Sequence, residues 1–192
     1  MSRASARATH ARERLLLAAL RCAERDGSGA LSLQIIAREA EVSKALVLYH
    51  FRGKEHLLAT AIAWLTERIL ARERGVLAES SATSVLEDYW QWLYAELHEG
   101  ELRVLVEMTQ ERGMETVLAL ETSAVRRHAI AETTISRVFH LLELSPRLPS
   151  SMLASCELAF RDGLVLSAAR QPARNVRVAF DVFWLSLLGL AR

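Results

Sequence analysis

The feature that most constrains this chain is residues 31–58, where a break separates two short amphipathic helical patterns. The first pattern carries Ile36 on its apolar side, and the second follows Ser43 and repeats Val47 and Phe51 at helical spacing. Ser43 is a favourable N-cap because its side-chain oxygen can accept a backbone N–H at a helix start. Two short helices joined by such a turn form a helix-turn-helix, which presents its second helix to a DNA major groove. The segment therefore predicts a DNA-binding domain.

Charge is distributed unevenly along the chain. Residues 1–60 carry ten Lys and Arg side chains against six acidic ones, a net charge of +4, whereas the remainder carries 14 basic and 17 acidic side chains, a net charge of −3. A basic region beside a nearly neutral body is typical of proteins that attract nucleic acid. The difference in net charge is small, so it supports the DNA-binding interpretation of the motif but would be weak evidence alone.

The composition predicts helix nearly throughout. Only three prolines occur in 192 residues, and Ala, Leu, Arg and Glu, which are favourable in helices, dominate. The predicted fold is all-α with about nine helices. A three-helix helix-turn-helix domain is expected over residues 1–52, and a larger helical ligand-binding and dimerisation domain over 53–192. The helices are expected at about 9–25, 32–39, 43–50, 53–74, 82–98, between Gly100 and Gly113, and at about 115–144, 150–170 and 173–190.

The sequence suggests a cytoplasmic protein. It contains no apolar run of about 18 residues, so no membrane span is expected, and its first residues lack the apolar core of a secretory signal. Cys22 and Cys156 lie far apart inside predicted helices, which favours buried, reduced thiols over a redox pair.

The last predicted helix is apolar on two sides. A surface helix of a monomer buries one stripe, so a second apolar face predicts a partner. We expect helices 150–170 and 173–190 to form half of an intermolecular four-helix bundle in a homodimer. The alternative is a helix buried inside one subunit. The side chains predicted to form the dimer interface are Leu153, Phe160, Leu164, Phe180, Phe183, Trp184, Leu187 and Leu188.

Sequence reading is expected at the first turn of the second motif helix, where side chains reach base edges first. Lys44 can donate to guanine O6 or N7, and Ala45 and Leu46 can contact thymine methyl groups. Gln34, at the start of the preceding helix, can make a bidentate contact with adenine. The alternative for each is an ordinary solvated side chain. These four residues are the predicted base contacts.

Phosphate contacts are expected around the same helix. Backbone N–H groups at helix starts favour anions, and neighbouring hydroxyl or ammonium groups add charge-assisted bonds. Lys54 is placed in the first turn of a helix, where the dipole disfavours a cation, and a phosphate would explain that placement. His50 could instead pack against its neighbours. The predicted phosphate contacts are Ser32, Ser43, Tyr49, His50 and Lys54.

The segment resembles the DNA-binding domain of TetR-family transcriptional regulators. The residues that match the family signature are Ile36, Ala37, Ala40, Val42, Ser43, His50, Phe51, Lys54, Glu55 and Leu57. Glu41 and Ala45 stand where the family usually has Gly. Gly53 replaces its usual Ser, and Leu48 replaces its usual Tyr. The rest of the chain agrees with the family only in length and helical character. The resemblance implies a homodimer on a palindromic double-stranded DNA operator, and it implies base contacts at the four positions above.

The resemblance also implies a small-molecule effector, bound in a pocket inside the larger helical domain. The sequence supplies a suitable mixture of apolar walls and scarce polar groups, although each aromatic residue taken alone is more often ordinary core. We expect a small, largely apolar effector. The residues predicted to line its pocket are Trp64, Trp90, Tyr94, His98, Glu107, Met108, Phe139 and Phe160.

Patterns that would indicate enzymatic chemistry are missing from the sequence. It lacks the Glu-x-x-His pairs of a di-iron bundle and the Cys/His spacing of a zinc site. It also lacks a glycine-rich phosphate loop and a G-x-S-x-G elbow. We therefore predict no enzymatic activity, no metal and no cofactor.

Together these patterns predict a DNA-binding transcriptional regulator that represses at a palindromic operator and is released by its effector. One alternative is a DNA binder without a small-molecule effector, either constitutive or controlled by a protein partner. A second alternative is a helical-bundle enzyme or carrier that retains a vestigial helix-turn-helix.

Overall fold

The computed structural model describes residues 3–168 and 173–191, and in these two ranges the chain forms nine α-helices, two short 3-10 helices and no β-strand. The predicted all-α fold of about nine helices is thereby confirmed. The α-helices are α1 (Arg3–Asp26), α2 (Leu33–Glu39), α3 (Lys44–His50), α4 (Lys54–Glu79), α5 (Val85–Glu99), α6 (Glu101–Glu107), α7 (Met114–Leu141), α8 (Ser150–Ala168) and α9 (Ala173–Leu188). The 3-10 helices are Ser28–Ala30 and Met108–Gln110. Among the described helices, none has both the length and the apolar character of a membrane span.

The largest differences from the predicted boundaries lie on the two helices that flank the helix-turn-helix. α1 begins at Arg3 rather than near residue 9, and α4 continues to Glu79 rather than ending near residue 74. Gly75 therefore lies inside α4 and does not end it. An interior glycine costs about 1 kcal/mol relative to alanine, which is less than the gain from burying the following Leu77 against the core.

The helix-turn-helix forms at the residues predicted for it. Ser32 Oγ accepts a hydrogen bond from the Ile35 N–H at 3.2 Å, and Ser43 Oγ accepts one from the Leu46 N–H at 3.2 Å. Each bond satisfies one of the N–H groups that a helix start leaves without a partner. The predicted N-cap at Ser43 is confirmed.

The turn between α2 and α3 passes through Glu41, whose φ of 54° lies in the left-handed region. Two backbone hydrogen bonds hold this turn. The Glu41 N–H donates to the Arg38 carbonyl at 3.1 Å, and the Val42 N–H donates to the Ala37 carbonyl at 2.9 Å. A side chain in this conformation costs about 1–2 kcal/mol. The turn thus keeps its geometry without glycine, at a local energetic cost.

A small apolar core fixes α3 against α1, α2 and α4. Val47 and Phe51 are fully buried, in the same cluster as Leu15 of α1 and Ile36 of α2. The guanidinium carbon of Arg12 lies over Phe51, 5.5 Å from the ring centroid. Val47 within α3 and Phe51, which directly follows its last residue, therefore anchor one side of α3 and leave the other to solvent.

The body of the protein is built around α4. This helix packs along α7 and also contacts α5 and α6, while α7 packs on α8 and α8 contacts α9. Ile69 of α4 and Ile135 and Phe139 of α7 belong to the shared core. α4 therefore follows directly from the helix-turn-helix at one end and forms the centre of the body at the other.

The aromatic stripe of α9 faces this core, which corrects the predicted dimer interface. The rings of Phe180 and Trp184 lie 6.2 and 5.5 Å from that of Tyr89 in α5. The larger apolar stripe gains most from burial, and it therefore packs inside the subunit. Of the predicted interface, Leu153, Leu164, Phe180, Trp184 and Leu187 are buried in their own chain, and Phe160, Phe183 and Leu188 are half-buried.

The second apolar face of α9 is the exposed one. Val178, Val182 and Leu185 are 58%, 58% and 71% exposed, and their spacing places them on one side of the helix. Leu166 of α8 is also exposed. The sequence pattern therefore identifies two apolar faces correctly, but most of the face it assigns to the partner is buried inside the subunit.

The two cysteines differ in environment. Cys22 is buried in α1, whereas Cys156 is exposed on α8, so the prediction of a buried thiol is confirmed only for Cys22. Burial raises the pKa of the Cys22 thiol, and the nearby Glu39 carboxylate adds to the rise. The Cys22 thiol is thereby kept in its protonated, less reactive form.

Replacing Phe51 with alanine should lower the free energy of unfolding by about 3–5 kcal/mol, because a cavity replaces a fully buried ring. Leu48→Ala, on the exposed side of the same helix, should lower it by less than about 1 kcal/mol. Urea unfolding followed by circular dichroism measures both values. Equal losses would contradict the orientation of α3.

Candidate nucleic-acid interface and buried polar centre

The four side chains predicted to contact bases all reach the protein surface. Lys44, Ala45 and Leu46 are exposed in the first turn of α3, and Gln34 is exposed in the first turn of α2. Buried Val47 anchors the helix behind them. The fold therefore exposes donor and apolar side chains at the start of α3 and an amide side chain at the start of α2, and their contact with bases stays a prediction.

The five side chains predicted to contact phosphate differ in exposure. Tyr49 is 80% exposed and Ser43 is exposed, whereas Ser32, His50 and Lys54 are half-buried. The hydroxyls of Ser32 and Ser43 accept cap bonds, and each can still donate its proton to a phosphate. The His50 ring lies edge-on to Tyr49, with 5.2 Å between the ring centroids.

Lys54 has an internal partner that the sequence does not indicate. Its Nζ donates to the Gly29 carbonyl in the 3-10 helix after α1, at 3.4 Å. This bond partly accounts for a cation in the first turn of α4. An ammonium group has three donors, so the contact leaves donors for a phosphate.

Sequence reasoning misses two exposed residues beside these positions. Leu48 is 44% exposed and lies one turn after Lys44 on the same side of α3. Arg52, between α3 and α4, is exposed, with Nη2 3.8 Å from the Glu115 carboxylate. The spacing from Lys44 and the position before a helix start are the signals that could have identified them.

A buried polar cluster lies where α4, α5, α7 and α8 meet, and we call it the polar centre. Its members are Glu73, Tyr89, Trp92, Thr134, Glu157 and Arg161, all of them buried. Glu73 accepts hydrogen bonds from Thr134 Oγ1 at 2.7 Å and from Arg161 Nη1 at 3.0 Å. The Tyr89 hydroxyl donates to Glu157 Oε1 at 2.5 Å. The cluster thus connects α4 to the three helices around it.

Several buried atoms of the polar centre have no hydrogen-bond partner among the described residues. They are Nε and Nη2 of Arg161, Nε1 of Trp92 and Oε2 of Glu157. Glu157 Oε1 lies 3.7 Å from Arg161 Nε, which is an ion pair but too long for a hydrogen bond. Each unsatisfied buried group costs about 1–3 kcal/mol, so four at one place call for an explanation.

Burial and neighbouring charges determine how the polar centre ionises. Burial raises the pKa of Glu157; Arg161 opposes the rise and Glu73 adds to it, and the net pKa is raised. Burial alone would lower the pKa of Arg161, but the carboxylates of Glu157 and Glu73 raise it well above its ordinary value. Arg161 therefore remains charged beside Glu73, and the equilibrium of Glu157 shifts toward its protonated form.

The residues predicted to line an effector pocket lie in several separate places. Tyr94 and His98 lie side by side on α5, with ring centroids 3.9 Å apart. Phe160 stacks on Phe183 at 4.1 Å. Trp64 lines a groove of about 490 Å³ between α1 and α4. Of the predicted set, Trp90, Met108 and Phe139 are buried, Trp64, Tyr94, Glu107 and Phe160 are half-buried, and His98 is exposed.

The sequence-based choice of pocket residues favours aromatic side chains and therefore omits the charged members of the polar centre. The available signal is the pair Glu157 and Arg161, which stand four positions apart in an otherwise apolar helix. Charged side chains are rarely fully buried unless they are paired. Their position within an apolar stripe therefore indicates a buried polar site.

Ion pairs and a hydrogen bond connect the body to the helix-turn-helix. Glu101 of α6 accepts from Arg68 Nη2 at 2.7 Å and from Arg72 Nη2 at 2.6 Å, both on α4. Arg103 Nη2 of α6 donates to the Glu24 carbonyl of α1 at 2.9 Å. α6 thus contacts both the central helix of the body and the first helix of the protein.

Comparison with known proteins connects this geometry to a family. Residues 15–61 match the family model described as bacterial regulatory proteins of the TetR family. The chain is 26% identical over 183 residues to the HTH-type transcriptional regulator BetI of Pseudomonas fluorescens, a match that covers 91% of this chain and 79% of BetI.

Solved structures share the fold over nearly the whole chain. A TetR transcription regulator from Haloarcula marismortui superposes with a TM-score of 0.77 at 17% identity, covering 96% of this chain and 100% of that one. The structure of a SmeT–triclosan complex superposes with a TM-score of 0.69 at 18% identity, covering 92% and 91% of the two chains. At these identities the likeness demonstrates a common fold.

The family model covers the same residues that form the protruding surface. Residues 15–61 include α2, α3, both serine caps and the start of α4. The matching family and the curated relative are transcriptional regulators and not enzymes. Residues 15–61 therefore form an N-terminal domain of the TetR family of bacterial regulatory proteins, and the chain is a TetR-like DNA-binding transcriptional regulator.

Proposed function

We propose that this regulator is a homodimeric repressor that occupies a palindromic operator and leaves it when a small molecule binds in the body. The continuity of α4 carries the proposal. This helix begins at Lys54, directly after α3, and carries Glu73 into the polar centre. A change at the polar centre therefore acts on the helix that supports the DNA-reading surface.

The proposed division of labour follows the same helix. Residues 1–52 bind DNA, and residues 53–192 bind the effector and form the dimer. In a homodimer, two copies of α3 reach successive major grooves when they lie about 34–36 Å apart. A dimer bound at a promoter blocks polymerase, and such a regulator works in the cytoplasm.

We assign the dimer interface to the exposed apolar face of α9, formed by Val178, Val182 and Leu185, with Leu166 of α8. These side chains are more than half exposed, although they are large and apolar. A contiguous apolar surface of this kind is typical of an interface between subunits. A two-fold axis would pair this face with itself.

We propose that the effector controls operator affinity through α4. The SmeT structure contains triclosan, which supports a small-molecule site in a protein of this fold. An effector shifts the equilibrium between two arrangements only if it binds one of them more tightly. Glu73, Arg68 and Arg72 connect α4 to the rest of the body, so they are the contacts that such a shift must change.

Operator binding tests the proposal directly. Lys44→Ala should cost about 1–3 kcal/mol and relax the preference at one base pair, whereas Lys54→Ala should weaken all sequences alike. Fluorescence anisotropy on an operator selected from random DNA, and on a scrambled duplex, measures both effects. Arg74→Ala, an exposed cation about 30 Å along α4 from Lys54, is the matched control. Unchanged binding by the double variant Lys44→Ala, Lys54→Ala would refute the assigned DNA surface.

Leu48 should read a thymine methyl group. Four residues of helix span about 6 Å, or about two base-pair steps, so this thymine should lie two steps from the base pair read by Lys44. Replacing it with deoxyuridine, which lacks the methyl group, should weaken binding of the unmodified protein. The same replacement should leave Leu48→Ala unaffected. Equal losses for the two proteins would contradict the contact.

Introducing a charge on the proposed interface should separate the subunits. Val182→Glu and Leu185→Glu should sediment as monomers in analytical ultracentrifugation, because a buried unpaired carboxylate is strongly disfavoured. Val125→Glu, on an exposed apolar residue of α7, is the control and should remain a dimer. A dimer that persists in both α9 variants would place the interface elsewhere.

A further inference from the structure

We propose that the polar centre binds a small organic carboxylate through the free edge of the Arg161 guanidinium and the indole N–H of Trp92. This inference rests on the proposed effector control and names the chemical class of the effector. It differs from the sequence-based expectation of a largely apolar molecule. The proposal rests on the buried donors of the polar centre that lack a hydrogen-bond partner among the described residues.

Arg161 uses one side of its guanidinium inside the protein. Nη1 lies 3.0 Å from Glu73 Oε2 and 3.4 Å from the Tyr89 hydroxyl oxygen. Nε and Nη2 have no hydrogen-bond partner among the described residues, and Nε forms only a 3.7 Å ion pair with Glu157 Oε1. These two nitrogens donate in parallel from one edge of the planar group, which is the geometry that binds the two oxygens of a carboxylate. This edge, which makes no hydrogen bond, therefore has a specific chemical complement.

Trp92 supplies a second buried donor near the Arg161 guanidinium. Its ring centroid lies 5.5 Å from the guanidinium carbon of Arg161, and its Nε1 has no hydrogen-bond partner among the described residues. An indole nitrogen donates and cannot accept. The two residues thus require a ligand that brings acceptors.

Glu157 also influences which kind of ligand the polar centre can bind. Its Oε1 accepts from the Tyr89 hydroxyl, and its Oε2 is unpartnered. Burial raises the pKa of Glu157, and in the protonated form Oε2 can donate a hydrogen. The unpartnered nitrogen atoms of the polar centre all donate. The charge of Glu73 is already balanced by Arg161, so a cationic ligand would find only Glu157 Oε2 as an unpartnered acceptor, close to the Arg161 cation.

Aromatic rings surround these donors and favour an apolar remainder on the ligand. The ring centroid of Tyr89 lies 5.1 Å from that of Trp92, 5.5 Å from Trp184 and 6.2 Å from Phe180. Flat apolar groups pack well against such rings. A short aliphatic or aromatic carboxylate satisfies both the donors and the walls.

Calorimetry on the protein without DNA tests the proposal. Sodium acetate and sodium benzoate serve as probes, acetamide and benzamide as their neutral counterparts, and sodium chloride keeps ionic strength constant. At least one carboxylate should bind saturably, at least about tenfold more tightly than its amide. No saturable heat up to about 10 mM, or equal affinity for acid and amide, would overturn the proposal. Because no operator is present, either result leaves the test of DNA binding independent.

Matched tryptophan variants locate the site. Trp92→Phe removes the indole donor and keeps an aromatic ring, so it should weaken carboxylate binding several-fold. Trp90→Phe is the control, since Trp90 lies on the same helix and is 6% exposed against 5% for Trp92. Glu157→Gln retains a neutral donor and should preserve binding. Equal affinity in the Trp92→Phe and Trp90→Phe variants would exclude the polar centre as the binding site.

Discussion

The buried carboxylate of Glu73 is the group on which the rest of the arrangement depends. It has no exposure to solvent, and its charge is balanced by Arg161 and hydrogen-bonded by Thr134. Removing one partner of a buried pair typically costs about 3–5 kcal/mol, because the other charge is left unpaired. Apolar contacts are not directional, whereas these bonds have defined lengths. They therefore keep α7 and α8 in register with α4, which continues directly into the DNA-binding region.

The recognition helix depends on its neighbours in the same way. α3 spans Lys44 to His50, which is too short for a stable isolated helix. Its position is therefore determined by the Ser43 cap and by Val47 and Phe51, which hold it against α1, α2 and α4. α1 is tied to α6 through Arg103, so the surface is connected to the body by two routes. One route is a continuous helix, and the other is a hydrogen bond between helices.

The N-terminal region is predictable from the sequence because interactions between residues close in the chain determine its helices. A serine cap and two apolar residues four apart specify α3 without long-range information, and the cap at Ser43 is confirmed. Glu41 breaks the family pattern, yet the turn forms because backbone hydrogen bonds hold it in a left-handed conformation. The family resemblance, carried by these residues, is confirmed as well.

The body was less predictable because its faces are decided by packing between distant segments. The spacing of α9 reveals two apolar faces but not which of them meets Tyr89 across the core. The polar centre combines residues from four helices, so no single segment of the sequence predicts it. The pair Glu157 and Arg161 is the part of it that a local sequence pattern indicates. Their partner Glu73 lies 88 positions from Arg161, beyond the range of any helical pattern.

The geometry of Arg161 offers a physical route from the proposed ligand site to distant DNA contacts. Its guanidinium is planar and rigid, so a movement of the group toward an acceptor on its Nε and Nη2 edge would also shift Nη1 relative to Glu73. The helix from Glu73 back to Lys54 is about 28 Å long at 1.5 Å per residue. A tilt of about 5° at Glu73 would therefore move Lys54 by about 2.5 Å over that length. Hydrogen bonds to bases and phosphates tolerate only a few tenths of an ångström, so a tilt of this size in α4 would be large enough to disturb the proposed DNA contacts.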